Sequence, residues 1–461
     1  MTPPAQPEVT TLNYPPRGIR GKNALNESRP EISPVMADPN RLSAAEAARR
    51  IAAGKLTSEA LVAACLDRIR ERDPQVQAWV HCDPEAALAQ ARAIDRAGAR
   101  GLLAGVPVGF KDVIDTADMP TQYNSPIYRD HRPRTDAACV AMARHEGGIV
   151  LGKTVTTEFA SRMPGPTRNP HNLAHTPGGS SSGSAAAVAD FMTPLAFGTQ
   201  TGGSTVRPAA YCGITGYKPS FGTINRSGLK ALAESLDTIG VMARTVEDCA
   251  LLVHAMSARA LPDFSSKPPG APRIGLCRTP RWKEATADTH AILENAASTL
   301  AKRGARVRDF DLPEDFDRLY EEQLLIMNFE AARALAYERF NHPGLLSTYL
   351  REKLEEHWHM PRAAYDAAMH HARECRAVFP TLFEGIDILL TPSAPGEAPK
   401  GIDSTGNSLF NRNWTLLGVP CVTLPAGSGS LGLPIGVQLV GRYDGDAQLL
   451  TWAEWARQAL E

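Results

Sequence analysis

Short apolar runs alternate along the chain with stretches in which apolar residues recur every three or four positions. The runs at 105–110, 149–152, 387–392 and 433–441 predict buried strands. The helical spacing occurs at 61–69, 84–98, 137–146, 185–190 and 446–460. Because strands and helices alternate, we predict an α/β layer fold.

Three regions depart from this alternation. Residues 1–40 are rich in proline and polar residues and show no periodicity, so we predict a loosely ordered N-terminal arm. Ser43 and Glu46 have the spacing of a capping box, which predicts that the first helix begins directly after Ser43. Residues 290–310 and 315–385 have helical patterns with few strand features, and we interpret 315–385 as a helical insertion.

Composition excludes several classes of protein. The 461 residues carry 49 Lys and Arg against 50 Asp and Glu, a balance that argues against a nucleic-acid or basic membrane-surface partner. The eight cysteines contain no Cys-x-x-Cys pair, so we expect neither a disulfide framework nor a zinc site. No apolar run approaches the roughly 18 residues of a membrane span. The N-terminus also lacks the apolar core of a secretory signal, and we expect a cytoplasmic protein.

Two segments place paired glycines before a serine, at 178–180 and at 202–204. Paired glycines allow the backbone to approach a substrate closely and to present consecutive N–H groups to an anion. A hydroxyl beside such a nest is what acyl transfer requires. A phosphate-binding loop and a plain helix-entry turn are the alternatives, but the first segment lacks the Gly-Lys-Ser/Thr ending of a P-loop.

A serine nucleophile also needs a base, and the sequence leaves two kinds open. Twelve histidines make a Ser-His-Asp triad conceivable, but no Gly-x-Ser-x-Gly elbow stands between a strand and a helix. The other candidate is a desolvated lysine. Lys111 ends an apolar strand, where exclusion of water would lower its pKa. Lys153 also follows an apolar strand, and we interpret it as structural.

Four motifs follow one another in order: 105–112, Gly-Gly-Ser-Ser-Ser-Gly-Ser at 178–184, Thr-Gly-Gly-Ser at 201–204, and Tyr-Lys-Pro at 217–219. Together they resemble the amidase signature family of serine hydrolases, and the resemblance covers about residues 41–461. It implies a single large domain whose mixed central sheet is sandwiched by helices. It also implies hydrolysis of a carboxamide C–N bond, with esters and carbamates (urethanes) as further substrates, and no metal or organic cofactor.

The resemblance further implies a Ser–cis-Ser–Lys triad. Ser204 would be the nucleophile, Ser180 the bridging serine after a cis peptide from Gly179, and Lys111 the base. The Ser181 and Ser182 hydroxyls would support this segment with hydrogen bonds. The oxyanion hole would be formed by the backbone N–H groups of four consecutive residues, Thr201, Gly202, Gly203 and Ser204.

Departures from the family pattern concern the substrate. Gln200 stands where many members have Asp, and Arg207 follows Ser204 by three residues rather than two. The second feature resembles malonamidase-like members, which use this arginine for a substrate carboxylate. Arg207, with Gly179, is therefore a candidate substrate-binding residue, and the alternative for Arg207 is a structural ion pair. The expected partner is a small-molecule amide, and a homodimer stays open.

Two other functions are compatible with the sequence. The rival function is the glutamine-hydrolysing subunit of a tRNA-dependent amidotransferase, and a binding protein with an inactive site is a third.

Cys212, eight residues after the predicted nucleophile, is expected to be a buried small hydrophobe. His357 and His359 do not share a helix face, so we predict no metal site there.

Overall fold

The computed structural model describes residues 38–265 and 270–461, and eleven strands in these residues form one sheet. The strands are β1 (Trp79–Cys82), β2 (Pro107–Lys111), β3 (Ile149–Thr154), β4 (Leu195–Gln200), β5 (Thr215–Lys218), β6 (Thr238–Ala243), β7 (Arg273–Leu276), β8 (Arg306–Asp309), β9 (Ile388–Pro392), β10 (Cys421–Ser428) and β11 (Pro434–Val440). Their order across the sheet is β1-β3-β2-β4-β6-β5-β10-β11-β9-β7-β8.

Fourteen α-helices are present in the same residues. They are α1 (Ala44–Ala52), α2 (Ser58–Val76), α3 (Pro84–Ala97), α4 (Ala138–His145), α5 (Ser182–Ala189), α6 (Val206–Tyr211), α7 (Val246–Ser257), α8 (Ala287–Lys302), α9 (Leu319–Ala334), α10 (Ala336–Asn341), α11 (Thr348–Trp358), α12 (Arg362–Val378), α13 (Arg412–Leu416) and α14 (Asp446–Leu460). The helices α9 to α12 follow one another between β8 and β9.

The sheet is mixed. β2 is parallel to both of its neighbours, β3 and β4. β7 is likewise parallel to β8 and β9, and the remaining neighbours are antiparallel. Because β2 and β4 run in the same direction, their carboxyl ends meet at one edge of the sheet. This edge carries the predicted site residues.

The central strands are covered on both faces. Every residue of β4 is buried, although successive side chains point to opposite faces of a sheet. Leu195 and Phe197 pack in the core that contains α7, whereas Ala196 between them packs in the core that contains α5. The sheet therefore lies between two helical layers, which confirms the predicted fold class.

Several local predictions are confirmed. The Ser43 hydroxyl accepts a hydrogen bond from the Glu46 N–H at 3.2 Å and α1 begins at the next residue. The strands expected at 105–110, 149–152, 387–392 and 433–441 are β2, β3, β9 and β11, and the C-terminal helix is α14.

One local prediction is wrong. Residues 306–309 were expected within a helical stretch, but they form β8, which pairs with β7 at the edge of the sheet. Gly304 has a φ of +107°, so the chain leaves the helical conformation directly after α8. Three of the four β8 residues are exposed, so the strand lacks the apolar run that marks a buried strand.

The predicted N-terminal arm lies almost wholly outside the described residues, which begin at residue 38. Within the described ranges, no helix is long and apolar enough to cross a membrane.

Candidate active site

The amino group of Lys111 lies at the carboxyl ends of β2 and β4. Lys111 is the last residue of β2 and its side chain is fully buried. Nζ donates to the hydroxyl oxygens of Ser180 and Thr199, each at 2.7 Å. Thr199 belongs to β4, so the parallel pairing of the two strands places its hydroxyl beside the amine.

The segment around Ser180 is tied to β4 and to the loop after it. The peptide bond between Gly179 and Ser180 is cis, as the resemblance implies. The Ser181 hydroxyl accepts from the Thr199 N–H at 3.2 Å, and the Ser181 N–H donates to the Ser204 carbonyl at 3.4 Å. Ser180 and Ser204, which are 24 positions apart in the sequence, therefore lie on adjoining segments.

The neighbours of Ser180 are held by further short-range contacts. The Ser182 hydroxyl donates to the Gly178 carbonyl at 2.7 Å, in the supporting role predicted for it. Gly178 has a φ of +83°, and a Cβ there would lie 2.8 Å from the Cα of Pro208. Only glycine fits this position, since both the backbone conformation and the space exclude a side chain.

The loop from Thr201 to Ser204 leads from β4 to α6. Ser204 is partly exposed, whereas the three residues before it are buried. Within the described part of the chain, the N–H groups of Gly202, Gly203 and Ser204 donate to no protein acceptor. A Cβ on Gly203 would lie 2.4 Å from the Asn411 amide oxygen. A partly exposed hydroxyl beside unpaired N–H groups is the arrangement that an acyl transfer needs.

Side chains from several elements fix this loop. The Gln200 amide oxygen accepts from the N–H groups of Thr205 and Val206 at 2.9 and 3.1 Å. The Thr201 hydroxyl donates to Asp237 at 2.6 Å. Gln200 therefore supports the start of α6.

Burial controls the pKa of Lys111. Loss of hydration has the largest effect on this pKa, the Asp237 carboxylate opposes the shift and the charge of Arg207 adds to it, and together they lower the pKa to about 7. In the described residues, no carboxylate lies within ion-pairing distance of Nζ. Half of the amine is therefore neutral near pH 7, as a general base requires.

Lys153 is the contrasting lysine. It is also fully buried, but Nζ lies 3.4 Å from the Asp112 carboxylate and donates to the Ile114 carbonyl at 2.6 Å. Asp112 therefore turns toward Lys153 and not toward Lys111. The prediction that Lys153 is structural agrees with these contacts.

Arg207 is buried, and its Nη2 donates to the Gly179 carbonyl and to the Thr405 hydroxyl. Its Nε finds no hydrogen-bond acceptor among the residues that the structure describes. Burial lowers its pKa to about 10. No carboxylate in the described residues lies within 4 Å, so the structural ion pair considered as one alternative for Arg207 is absent there.

The remaining sequence candidates lie apart from this chemistry. The Cys212 thiol is buried near the Pro177 carbonyl, and burial raises its pKa well above the ordinary value. His357 and His359 contact different residues, and no group of three metal-ligating side chains occurs in the described ranges.

Four residues at the site were missed. Thr199 and Asp237 act on Lys111 directly, while Gln323 and Thr415 donate to the carbonyls of Thr201 and Gly202 at 2.6 and 2.7 Å. Thr199 could have been found from the sequence, since it lies two residues before the motif at 201–204, which is one repeat of the side-chain alternation along a strand. Gln323 and Thr415 lie more than one hundred residues away, where no local pattern marks them.

Comparison with known proteins decides the family. A model of the family described as Amidase matches residues 60–450. The chain belongs to the amidase family. It is 32% identical to a glutamyl-tRNA(Gln) amidotransferase subunit of Neisseria meningitidis serogroup C, over 86% of this chain and 93% of that protein.

Solved amidase structures share the fold. One described as a crystal structure of amidase superposes with a TM-score of 0.83 at 28% identity, covering 91% of this chain and 100% of the other. The 6-aminohexanoate cyclic dimer hydrolase superposes with a TM-score of 0.82 at 25% identity, covering 92% and 98%. Membership in the amidase family supports hydrolysis of a carbon–nitrogen bond.

The two buried lysines of this amidase predict opposite effects on stability. Replacing Lys111 with Met removes an amine whose fall in pKa from about 10.4 to about 7 costs about 4–5 kcal/mol at pH 7. It also removes two hydrogen bonds worth about 1 kcal/mol each. We expect Lys111→Met to raise the free energy of unfolding by about 1–3 kcal/mol.

Lys153→Met is the matched control, because it leaves Asp112 buried without its cation and should destabilise by about 3–5 kcal/mol. Chemical denaturation at several pH values measures both. The unfolded lysine keeps its proton up to about pH 10.4, so the gain from Lys111→Met should be full below pH 7 and shrink toward pH 10. Equal destabilisation by both substitutions would contradict the account of Lys111.

Proposed function

We propose that this amidase hydrolyses amides through an acyl-enzyme on Ser204, with Ser180 as the proton bridge and Lys111 as the base. One observation carries the proposal: a buried lysine amine with a pKa of about 7 lies 2.7 Å from the Ser180 hydroxyl, and carboxylates are absent from its contacts within the described ranges. A serine hydroxyl needs such a base, since it is a weak nucleophile at its own pKa.

The proposed reaction has two steps. The neutral Lys111 amine takes the Ser180 proton while Ser180 takes the proton of Ser204, and the Ser204 oxygen bonds to the substrate carbonyl carbon. The C–N bond then breaks, and the proton returns through Ser180 to the leaving amine. Water next attacks the ester on Ser204, releases the acid and restores the hydroxyl.

The loop after β4 supplies the electrostatic part of the proposal. The N–H groups of Gly202, Gly203 and Ser204, unpaired among the described residues, would receive the negative charge that develops on the substrate oxygen. Fixed donors of this kind are worth about 3–4 kcal/mol each in the transition state.

The surroundings of Arg207 favour a substrate that carries a carboxylate. A buried guanidinium without a carboxylate is unfavourable unless a ligand completes it. Its unpaired Nε and its contact with the Gly179 carbonyl lie next to Ser180. We propose that Arg207 binds a carboxylate on the amide substrate, as a planar guanidinium can do with two hydrogen bonds.

The second candidate function is that of one component of an amidotransferase. The observation in its favour is the 32% identity with the Neisseria meningitidis amidotransferase protein, over 93% of that protein. The purified chain alone, assayed with simple amides, distinguishes the two. Turnover without any other protein supports a free amidase, whereas turnover only with partner proteins supports the alternative.

Replacing the nucleophile is the direct test. Ser204→Ala should lower kcat by at least about 10³-fold, because only binding and the oxyanion donors would remain. Release of ammonia from a simple amide measures the rate, and Ser227→Ala gives the same chemical change at an exposed serine. A serine-directed sulfonyl fluoride should label Ser204. Near-native turnover by Ser204→Ala would refute the assignment.

The pH dependence tests the base. Protonated Lys111 cannot take a proton, so kcat/KM should rise with pH, pass a midpoint near 7 and then level off. The Arg207 charge lowers the Lys111 pKa, so Arg207→Met should move the midpoint to higher pH. A profile that is flat from pH 6 to pH 9 contradicts a lysine base.

Arg207→Met also tests the substrate class when it is measured on the alkaline plateau, where Lys111 is neutral in both proteins. For an amide with a free carboxylate we expect kcat/KM to fall by about 30- to 1,000-fold. This corresponds to about 2–4 kcal/mol of transition-state stabilisation, the value of lost charge-assisted hydrogen bonds. The methyl ester of the same amide should lose far less. Equal losses on both substrates, with a lower melting temperature, would make Arg207 structural.

A further inference from the structure

A second arginine stands beside the loop that follows β4, and the proposed reaction does not use it. Arg412 begins α13, and its Nη1 lies 3.5 Å from the position that a Cβ on Gly202 would occupy. Its guanidinium lies 5.5 Å from the ring centre of Tyr320 on α9. Its Nε is enclosed and has no hydrogen-bond acceptor in residues 38–265 and 270–461. Arg412 is thus held close to the reacting region with donor capacity to spare.

Arg412 is linked to the backbone of that loop through one side chain. Its Nη1 donates to the Gln323 amide oxygen, and the Gln323 amide nitrogen donates to the Thr201 carbonyl at 2.6 Å. That carbonyl and the Gly202 N–H belong to one trans peptide plane, in which they point in opposite directions. Gln323 therefore fixes the direction in which the Gly202 N–H points.

Thr415 acts in the same way one residue further along, but without Arg412. Its hydroxyl donates to the Gly202 carbonyl at 2.7 Å, which fixes the direction of the Gly203 N–H. The first two carbonyls of the loop are thus held by side chains from outside it, one by a glutamine in contact with an arginine and the other by a threonine. Because only Gln323 contacts an arginine, variants of Gln323 and Thr415 distinguish an effect of the arginine charge on the loop from an effect of loop position alone.

Among the described residues, the guanidinium groups that act on Arg412 and Arg207 repel one another. Burial lowers the pKa of Arg412, the contact with Tyr320 opposes this shift, and the charge of Arg162 lowers the pKa further. The charges of Arg412 and Arg162 in turn lower the pKa of Arg207. No carboxylate in the described residues lies within 4 Å of Arg412 or Arg207. Like charges brought together without a counter-ion are stabilised by an anionic ligand.

We propose that Arg412 is a specificity-determining residue that binds the substrate carboxylate together with Arg207, and that Gln323 is the positioning residue that couples this contact to the Gly202 N–H. The ligand class is an amide whose acyl part ends in a carboxylate. The proposal rests on the proposed function, since it concerns the same reaction.

The test compares one substrate in two charge states. The probes are the mono-p-nitroanilides of malonic, succinic and glutaric acids and their methyl esters, assayed at an alkaline plateau of activity. Arg412→Met should lower kcat/KM for the best acid about 10- to 100-fold, the effect of a lost charge-assisted contact, and for its ester less than about 3-fold. Gln323→Met should lower kcat on both substrates and more on the acid than on the ester, with KM little changed, because only the acid engages Arg412.

Arg281→Met is the matched control. Arg281 also lies over the Tyr320 ring, at 4.6 Å, but it is paired with Glu284 and Glu321. The substitution also removes a positive charge beside the Tyr320 ring, and it should leave kcat/KM for the acid and for the ester unchanged. Thr415→Val should lower kcat on both substrates alike, since it loosens the loop without touching the arginines.

Specific outcomes overturn the proposal. If Arg412→Met lowers acid and ester equally, or leaves the acid unchanged, Arg412 does not bind the carboxylate. If Arg412→Met fails to fold, Arg412→Lys serves instead, and inhibition by free succinate should weaken at least about tenfold because lysine lacks the bidentate fork. Unchanged succinate inhibition would refute the inference.

Failure of the proposed function gives a different result. In that case acid and ester would both resist hydrolysis by the parent protein, or Ser204→Ala would keep its activity. Turnover that depends on Ser204 but ignores Arg412 would overturn this inference alone.

Discussion

The hydrogen bonds of Lys111 are the interaction on which the site depends. An amine that is fully buried and faces only hydroxyl oxygens prefers to be neutral, and this preference is strong enough to bring its pKa to about 7. A closer carboxylate or a path for water would raise this pKa again. The full burial of β2 and β4, the adjoining serine segments and the orientation of Asp112 all maintain the lowered pKa.

The fold contains its own comparison for this effect. Lys111 and Lys153 lie at the ends of neighbouring strands and are equally buried, and burial lowers the pKa of both. Lys111 donates to hydroxyls, whereas Lys153 contacts the Asp112 carboxylate besides a hydroxyl and a carbonyl. Parallel pairing of β2 with β3 and β4 places both amines near the same edge of the sheet. The Asp112 carboxylate, which contacts Lys153 and not Lys111, is therefore the main difference between the surroundings of the two amines.

The sequence predicted what short-range patterns encode. The buried strands β2 and β3 and the cap at Ser43 follow from runs and spacings of a few residues, and the motifs around Ser180 and Ser204 identified the family. β8 was missed because an exposed edge strand has no apolar run. The contact of Gln323 with the loop was also invisible, since it joins residues 122 positions apart.

The long sequence separation between this loop and its hydrogen-bond donors has a consequence during synthesis of the chain. Residues 111–204 hold the lysine and both serines, but the carbonyls of Thr201 and Gly202 receive their donors from Gln323 and Thr415. During synthesis the chain emerges from the amino terminus at about 5–20 residues per second. The loop therefore gains its second donor only when nine-tenths of the protein has been translated, so a nascent chain carries the serines for many seconds before their surroundings are complete.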